Sequence, residues 1–202
     1  MKKLILLLFS LLLIINCSRY NDENSVDFVA LLPPETQTGA NTFGVTIKGK
    51  IYVPRDPTGF STMPNGKGVT FWGSPDNYSY NELEVIDGAS DAGFKMVIHI
   101  QKLQELGKAM YVLQKSNFQN GIDSIPETHI FFKIWDDKIK NYAYYGSVEK
   151  QGELNITRHS NGIISGNFKG KFVREDNLDE IIEITNGRFD INSATISNHP
   201  FP

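Results

Sequence analysis

The feature that most constrains this chain is a hydrophobic period of two. From Phe43 onward, apolar side chains recur at alternate positions in short runs set apart by turn residues. In VTIKGKIYV, Val45, Ile47, Ile51 and Val53 share one face around Gly49, with Thr46, Lys48, Lys50 and Tyr52 on the other. FKMVIHI groups Phe94, Met96, Ile98 and Ile100; HIFFKIW groups Ile130, Phe132 and Ile134; GIISGNFKGKF groups Ile164, Phe168 and Phe172. Successive side chains of a strand point to opposite faces, so this pattern predicts half-buried strands. Further strands are expected over 69–72, 80–86, 109–115, 142–148, 153–158 and 180–185. Between the runs lie Pro64-Asn65-Gly66, Asp87-Gly88, Asn120-Gly121, Asp136-Asp137, Ser160-Asn161-Gly162 and Asn186-Gly187. Asn or Asp before Gly suits tight hairpins, because these residues tolerate positive φ. Only IQKLQELGKAM offers helix-forming residues, and Gly107 limits it to one turn. With no alternation of strand and helix, the chain is expected to be all-β, a single antiparallel β-sandwich or partly open β-barrel of about nine or ten strands.

The N-terminus lies outside that fold. Lys2 and Lys3 precede an apolar run from Leu4 to Ile15, too short to span a bilayer as a helix, which takes about 20 residues. The run ends in Ile14-Ile15-Asn16-Cys17, which resembles a lipobox, where the cysteine is acylated and becomes the first residue of the mature chain. Cys17 is the only cysteine in the sequence, so no intramolecular disulfide supports the body. The resemblance implies three acyl chains on Cys17 and anchoring without a transmembrane helix, since two or more chains hold a protein stably on a membrane. It places the chain in the cell envelope, at the outer membrane. The expected organisation is a signal peptide over 1–16, an acylated cysteine and tether over 17–38, an all-β domain over 39–192 and a polar tail over 193–202. Asp22-Glu23 in the tether resembles the acidic surface-export signals of Bacteroidota lipoproteins.

The formal charge of −3 becomes two units more negative once Lys2 and Lys3 are removed. Such a body lacks the basic stripe that nucleic-acid binding requires. His99, His129, His159 and His199 have unrelated neighbours and no close H-x3-H pair, so they read as solvated side chains and no metal is expected. The acidic run 175–180 lacks the order of a calcium loop and reads as a solvated connection. No nucleophile elbow, zinc-protease helix or phosphate loop is present, so neither catalysis nor a cofactor is expected. Glu82 and Glu84 share a strand face roughly 7 Å apart. They read as a solvent-facing stripe, with carboxylate hydrolysis as the alternative.

Aromatic residues are the stronger signal. Trp72, Tyr78, Tyr80, Phe131, Trp135, Tyr142, Tyr144 and Tyr145 all come from the middle strands. Phe131 and Trp135 lie opposite the Ile130/Phe132/Ile134 face, so that second face has either a covering layer or an exposed platform able to stack on sugar rings. Cross-strand aromatic pairing is the competing use. Trp72, Trp135 and Tyr144 are the candidate ligand-binding residues. Asp123-Ser124-Ile125 resembles the O-glycosylation motif of Bacteroidota exported proteins.

The stretch LPPETQTGANTFG (32–44) echoes a sortase LPxTG signal, but Gly does not follow Thr36 and no hydrophobic tail comes after it. It reads as a clasp between tether and body. Pro33-Pro34 stiffens it, Gly39 and Asn41 turn it, and Phe43 enters the core. Together with VTIKGKIYVP and the closing segments ISGNFKGKF and IEITNGRFDI, it resembles a family of uncharacterised Bacteroidota lipoproteins. The resemblance implies the anchor, the compartment and a β architecture, and no activity. Three functions are therefore expected to compete: a non-enzymatic ligand-binding or interaction module, with glycan or another envelope ligand as partner; a carboxylate-dependent envelope hydrolase; and a structural subunit of an envelope complex.

Overall fold

A computed structural model describes residues 28–58, 66–73, 80–90, 93–118 and 127–202. Ten antiparallel strands form one sheet: β1 (Thr42–Ile47), β2 (Lys50–Tyr52), β3 (Val69–Gly73), β4 (Tyr80–Asp87), β5 (Phe94–Gln101), β6 (Met110–Val112), β7 (His129–Asp136), β8 (Asn141–Ser160), β9 (Ile163–Arg174) and β10 (Ile181–Asn192). A helical turn, α1 (Leu103–Leu106), ends at Gly107. The strand order is β2-β1-β10-β9-β8-β7-β5-β4-β3, with β6 paired to β8. The sheet rolls into a half-barrel rather than stacking as a sandwich.

Curvature comes from identifiable residues. The register of β8 on β9 shifts between Ser147 and Gly152 and again between Ile156 and Arg158. Such bulges bend a strand and increase its twist. Between the shifts Gly152 faces Gly170, and a Cβ on Gly170 would lie 2.7 Å from the Gly152 Cα. The two glycines thus let the strands approach closely between the two bulges. At the seam, Arg55 pairs with Asp87. The Arg55 amide donates to Ile86 (3.1 Å), the Gly88 amide donates to Arg55 (2.9 Å), and the Arg55 guanidinium grips the Asp87 carboxylate at 2.7 and 2.9 Å.

The inward face is the core predicted by the alternation. Phe43, Phe132, Tyr145, Phe168 and Phe172 are among its largest fully buried side chains. Phe43 packs on Phe168 (ring centroids 6.1 Å) and Phe132 packs on Tyr145 (5.4 Å) and Phe172 (5.3 Å).

Three expectations about strands are corrected. VTIKGKIYV is not one strand: Lys48 (φ 50°) and Gly49 (φ 80°) make the turn between β1 and β2. The turn resets the alternation, so Tyr52 is buried where Ile51 and Val53 were expected. The runs 142–148 and 153–158 are one long strand, β8. Asn186-Gly187 is a bulge inside β10 rather than a turn. There the Asn186 side chain accepts from the Thr46 amide (3.1 Å) and donates to its hydroxyl (2.9 Å), standing in for missing ladder bonds to β1. Asn161 (φ 53°) and Gly162 (φ 74°) do form the tight β8–β9 turn.

The segment 36–41 wraps around one carboxylate. Asp190 on β10, 1% exposed, accepts from the Thr36 hydroxyl (2.6 Å), from the Thr38 amide (2.9 Å) and hydroxyl (3.3 Å), and from the amides of Gly39 (2.9 Å) and Ala40 (3.2 Å). Ser165 on β9 adds a sixth bond at 2.6 Å. Burial alone would raise the pKa of this carboxyl. The bonds from Ser165, Thr36, Ala40 and Gly39 outweigh burial and hold it well below the usual carboxylate range. Gly39 and Asn41 both have positive φ, as the turning of the chain requires. The residues expected as a polar tail also pack on the body, because Ile196 and Phe201 are buried in the core, the Asp56 amide donates to the Phe201 carbonyl (3.5 Å) and the Phe201 amide donates to the Asp56 carboxylate (3.2 Å).

Candidate functional site

The open end of the half-barrel holds a cleft of about 490 Å3. The β1–β2 turn, the β7–β8 turn and the β9–β10 connection surround it. Its floor is apolar, from Ile47, Tyr52, Ile134 and Ala143, and its wall includes Trp135 and Ile139. Barrel mouths of this kind are common small-molecule sites.

A fixed polar network spans the mouth. The Lys48 ammonium donates to the Tyr145 hydroxyl and to Glu180, both at 2.7 Å, and the Tyr145 hydroxyl donates to Glu180 at 2.5 Å. The Arg174 guanidinium bonds Glu180 (3.0 Å), Asp136 (3.2 Å) and Asp176 (2.5 Å). Glu180 is held at about 2, first by Lys48 and then by Tyr145. Burial pulls the Lys48 ammonium down, but its bonds to Glu180 and Tyr145 win and raise it. Burial, then the bond to Glu180, raises the Tyr145 phenol. At neutral pH the network is therefore a set of fixed charges and one neutral phenol.

The candidate aromatic residues do not form one platform. Trp135 and Tyr144 alternate with the core residues Ile134 and Tyr145 along the β7–β8 hairpin, Trp135 at the rim of the cleft and Tyr144 on the outer face. Trp135 meets Tyr142 edge-on at 5.5 Å and donates from its indole nitrogen to Asp137 (3.2 Å). Lys133 sits over the Tyr142 ring at 4.4 Å. Tyr144 is 39% exposed and Trp72 59% exposed. Trp72 lies on β3, three strand spacings across the sheet and roughly 20 Å along it from Trp135 by strand geometry. Cys17, Tyr78 and Asp123-Ser124-Ile125 lie outside the described residues.

On the same outer face the solvated reading of two histidines fails. His99 and His129 are 1% and 2% exposed, and their rings stack at 4.2 Å. The His129 Nδ1 bonds the Glu127 carbonyl at 2.9 Å. Glu82, expected to face solvent, is 4% exposed, with its carboxylate 3.4 Å from His99 Nδ1. Burial, then repulsion from Glu84, raises Glu82 to about 7 against the pull of Lys95. Glu84 instead pairs with Lys95 at 2.8 Å.

Period-two alternation shows which residues leave the core face and not what packs over them. Residues 113–118 run back along the sheet, with the Gln114 amide donating to Thr128 (2.8 Å) and the Ser116 amide donating to Ser147 (3.0 Å). They bring Phe118 and Ser116 over Gly146, the cross-strand partner of Phe131. The outer face is thus covered at Phe131 and open at Trp135 and Tyr144.

His159 and His199 are partly exposed and sit apart from this cluster. Among the described residues, no group of three His, Cys, Asp or Glu is placed to hold a metal ion. Among the same residues, no helix is long and apolar enough to cross a membrane. No family model, curated protein or solved structure matches this chain.

Proposed function

We propose that this chain is a lipid-anchored cell-envelope protein, held at the outer membrane by Cys17, whose β body binds a glycan or related envelope ligand without catalysing its reaction. The cleft at the mouth supports this reading, because it combines an apolar floor and Trp135 at its rim with charges already fixed in place. A sugar ring presents an apolar face and a polar edge, which suits an aromatic wall beside hydrogen-bonding groups. Preorganised charges meet such a ligand without further ordering of side chains.

The test is a glycan array followed by fluorescence titration of the ligands it selects. Trp135→Ala should weaken binding about tenfold, as loss of a central aromatic contact does. Trp72→Ala should leave it unchanged, because Trp72 lies far from the mouth. Equal affinity for Trp135→Ala and the native chain would remove the mouth as the binding site.

A further inference from the structure

We propose that Phe28, Val29 and Leu31 form a membrane-contacting face that sets the orientation of the body on its bilayer, an inference that rests on acylation of Cys17. The three side chains are 44%, 71% and 74% exposed. They continue into an apolar groove of about 300 Å3, lined also by Pro33, Val53 and Phe201. Water-exposed apolar side chains so grouped mark a surface that gains by contact with another apolar phase.

The chain itself says which phase. Only ten residues lie between Cys17 and Phe28, and fully extended the segment spans at most about 40 Å. An acylated Cys17 therefore keeps this face within reach of lipid at all times, at a high effective concentration. The face is also electrically quiet. The Arg55 guanidinium lies 4.5 Å from the Phe28 ring centre, but its charge is met by Asp87 at 2.7 Å. The tether carries Asp22, Glu23 and Asp27 against Arg19, so attraction to anionic headgroups is not the driver. Insertion of apolar side chains into the interface is.

The orientation bears on the mouth. Lys50 and Tyr52 line both the mouth cleft and the groove beside Phe28 and Val29. With Phe28, Val29 and Leu31 against lipid, only the narrow strand β2 stands between the bilayer and the cleft.

The test uses the full processed chain, extracted from membranes and reconstituted in phosphatidylcholine vesicles that contain nitroxide-labelled lipid. An environment-sensitive dye is placed at Leu31→Cys or, as a control, at Met110→Cys, where the native side chain is 63% exposed on β6. The dye at position 31 should be quenched several-fold more strongly than the dye at position 110. The intact mass of the same preparations reads the acyl groups on Cys17 independently. An acylated chain with equal quenching at both positions overturns the membrane-contacting face and leaves the anchor standing. A chain without acyl mass overturns the anchor, and with it the orientation, whatever the dye reports.

Discussion

Replacing Asp190 with alanine should be among the most destabilising single changes in the body. Six hydrogen bonds converge on this carboxylate, four of them shorter than 3.0 Å. A bond to a charged group contributes about 1.5–3 kcal/mol, but bonds that share one acceptor do not add. Truncation also leaves the amides of Thr38, Gly39 and Ala40 without their acceptor, although water reaches this segment more easily than the core. A net loss of about 3–5 kcal/mol follows. For a chain of this size each kcal/mol moves the melting midpoint by about 2–4 °C, so the midpoint should fall by about 6–20 °C in scanning calorimetry. Cleavage by a nonspecific protease should begin within 32–41, because that segment has lost its attachment. Asp190→Asn keeps the shape and loses the charge, so it should fall between the two. The pH dependence has a fixed sign. The folded carboxyl is depressed, so its contribution is complete above about pH 4, the unfolded value, and is lost as pH falls below it. A midpoint lowered by less than about 3 °C at neutral pH would refute the clasp.

Two further changes test the sheet. Glu82 has a folded value raised to about 7, so its protonated form stabilises the body below about pH 4 and that contribution is lost as pH rises through 7. Glu82→Gln should therefore gain stability relative to the native chain between pH 5 and pH 8 in denaturant titrations; a difference that does not vary with pH would show that the carboxyl is not held in the protonated form. Gly187→Ala should cost about 1–3 kcal/mol through overpacking, because a Cβ at the β10 bulge runs into the Phe168 ring. A neutral effect on urea unfolding would mean that Phe168 is free to move aside.

The strands were legible because one face of each is buried, and burial on one face writes a period of two into the sequence. The Asn161-Gly162 turn was legible for a similarly local reason, since two successive positive φ angles select those residues. Errors arose where one local pattern serves two structures. Lys48-Gly49 looks like the middle of a strand because apolar residues alternate on both sides of it, yet the turn reverses the chain there. Asn186-Gly187 has turn chemistry, but Asn186 spends its amide on Thr46 in the neighbouring strand. Trp135 could be singled out from sequence. The network beside it could not, since Lys48, Tyr145, Arg174 and Glu180 are distant in the chain and meet only after the sheet rolls. The burial of Glu82, His99 and His129 was hidden for the same reason, because these side chains come from three strands and meet only in the folded sheet.

That roll also decides where a ligand can sit. Inside the half-barrel the bulky rings of Phe43, Phe132, Tyr145, Phe168 and Phe172 fill the space between facing strands. Where those rings pack on one another they leave no cavity for a second molecule. Opening one would require removing those rings, at about 3–5 kcal/mol each. At the mouth the same side chains reach their polar ends: Tyr145 packs its ring into the core and bonds Lys48 and Glu180 through its hydroxyl. The core therefore ends in an ordered polar rim rather than in loose loops, and the apolar floor of the cleft is the exposed top of the core itself. A ligand bound there touches groups that are already rigid for folding reasons, so changes at the wall, such as Trp135→Ala, can separate binding from stability in a way that changes to the floor cannot.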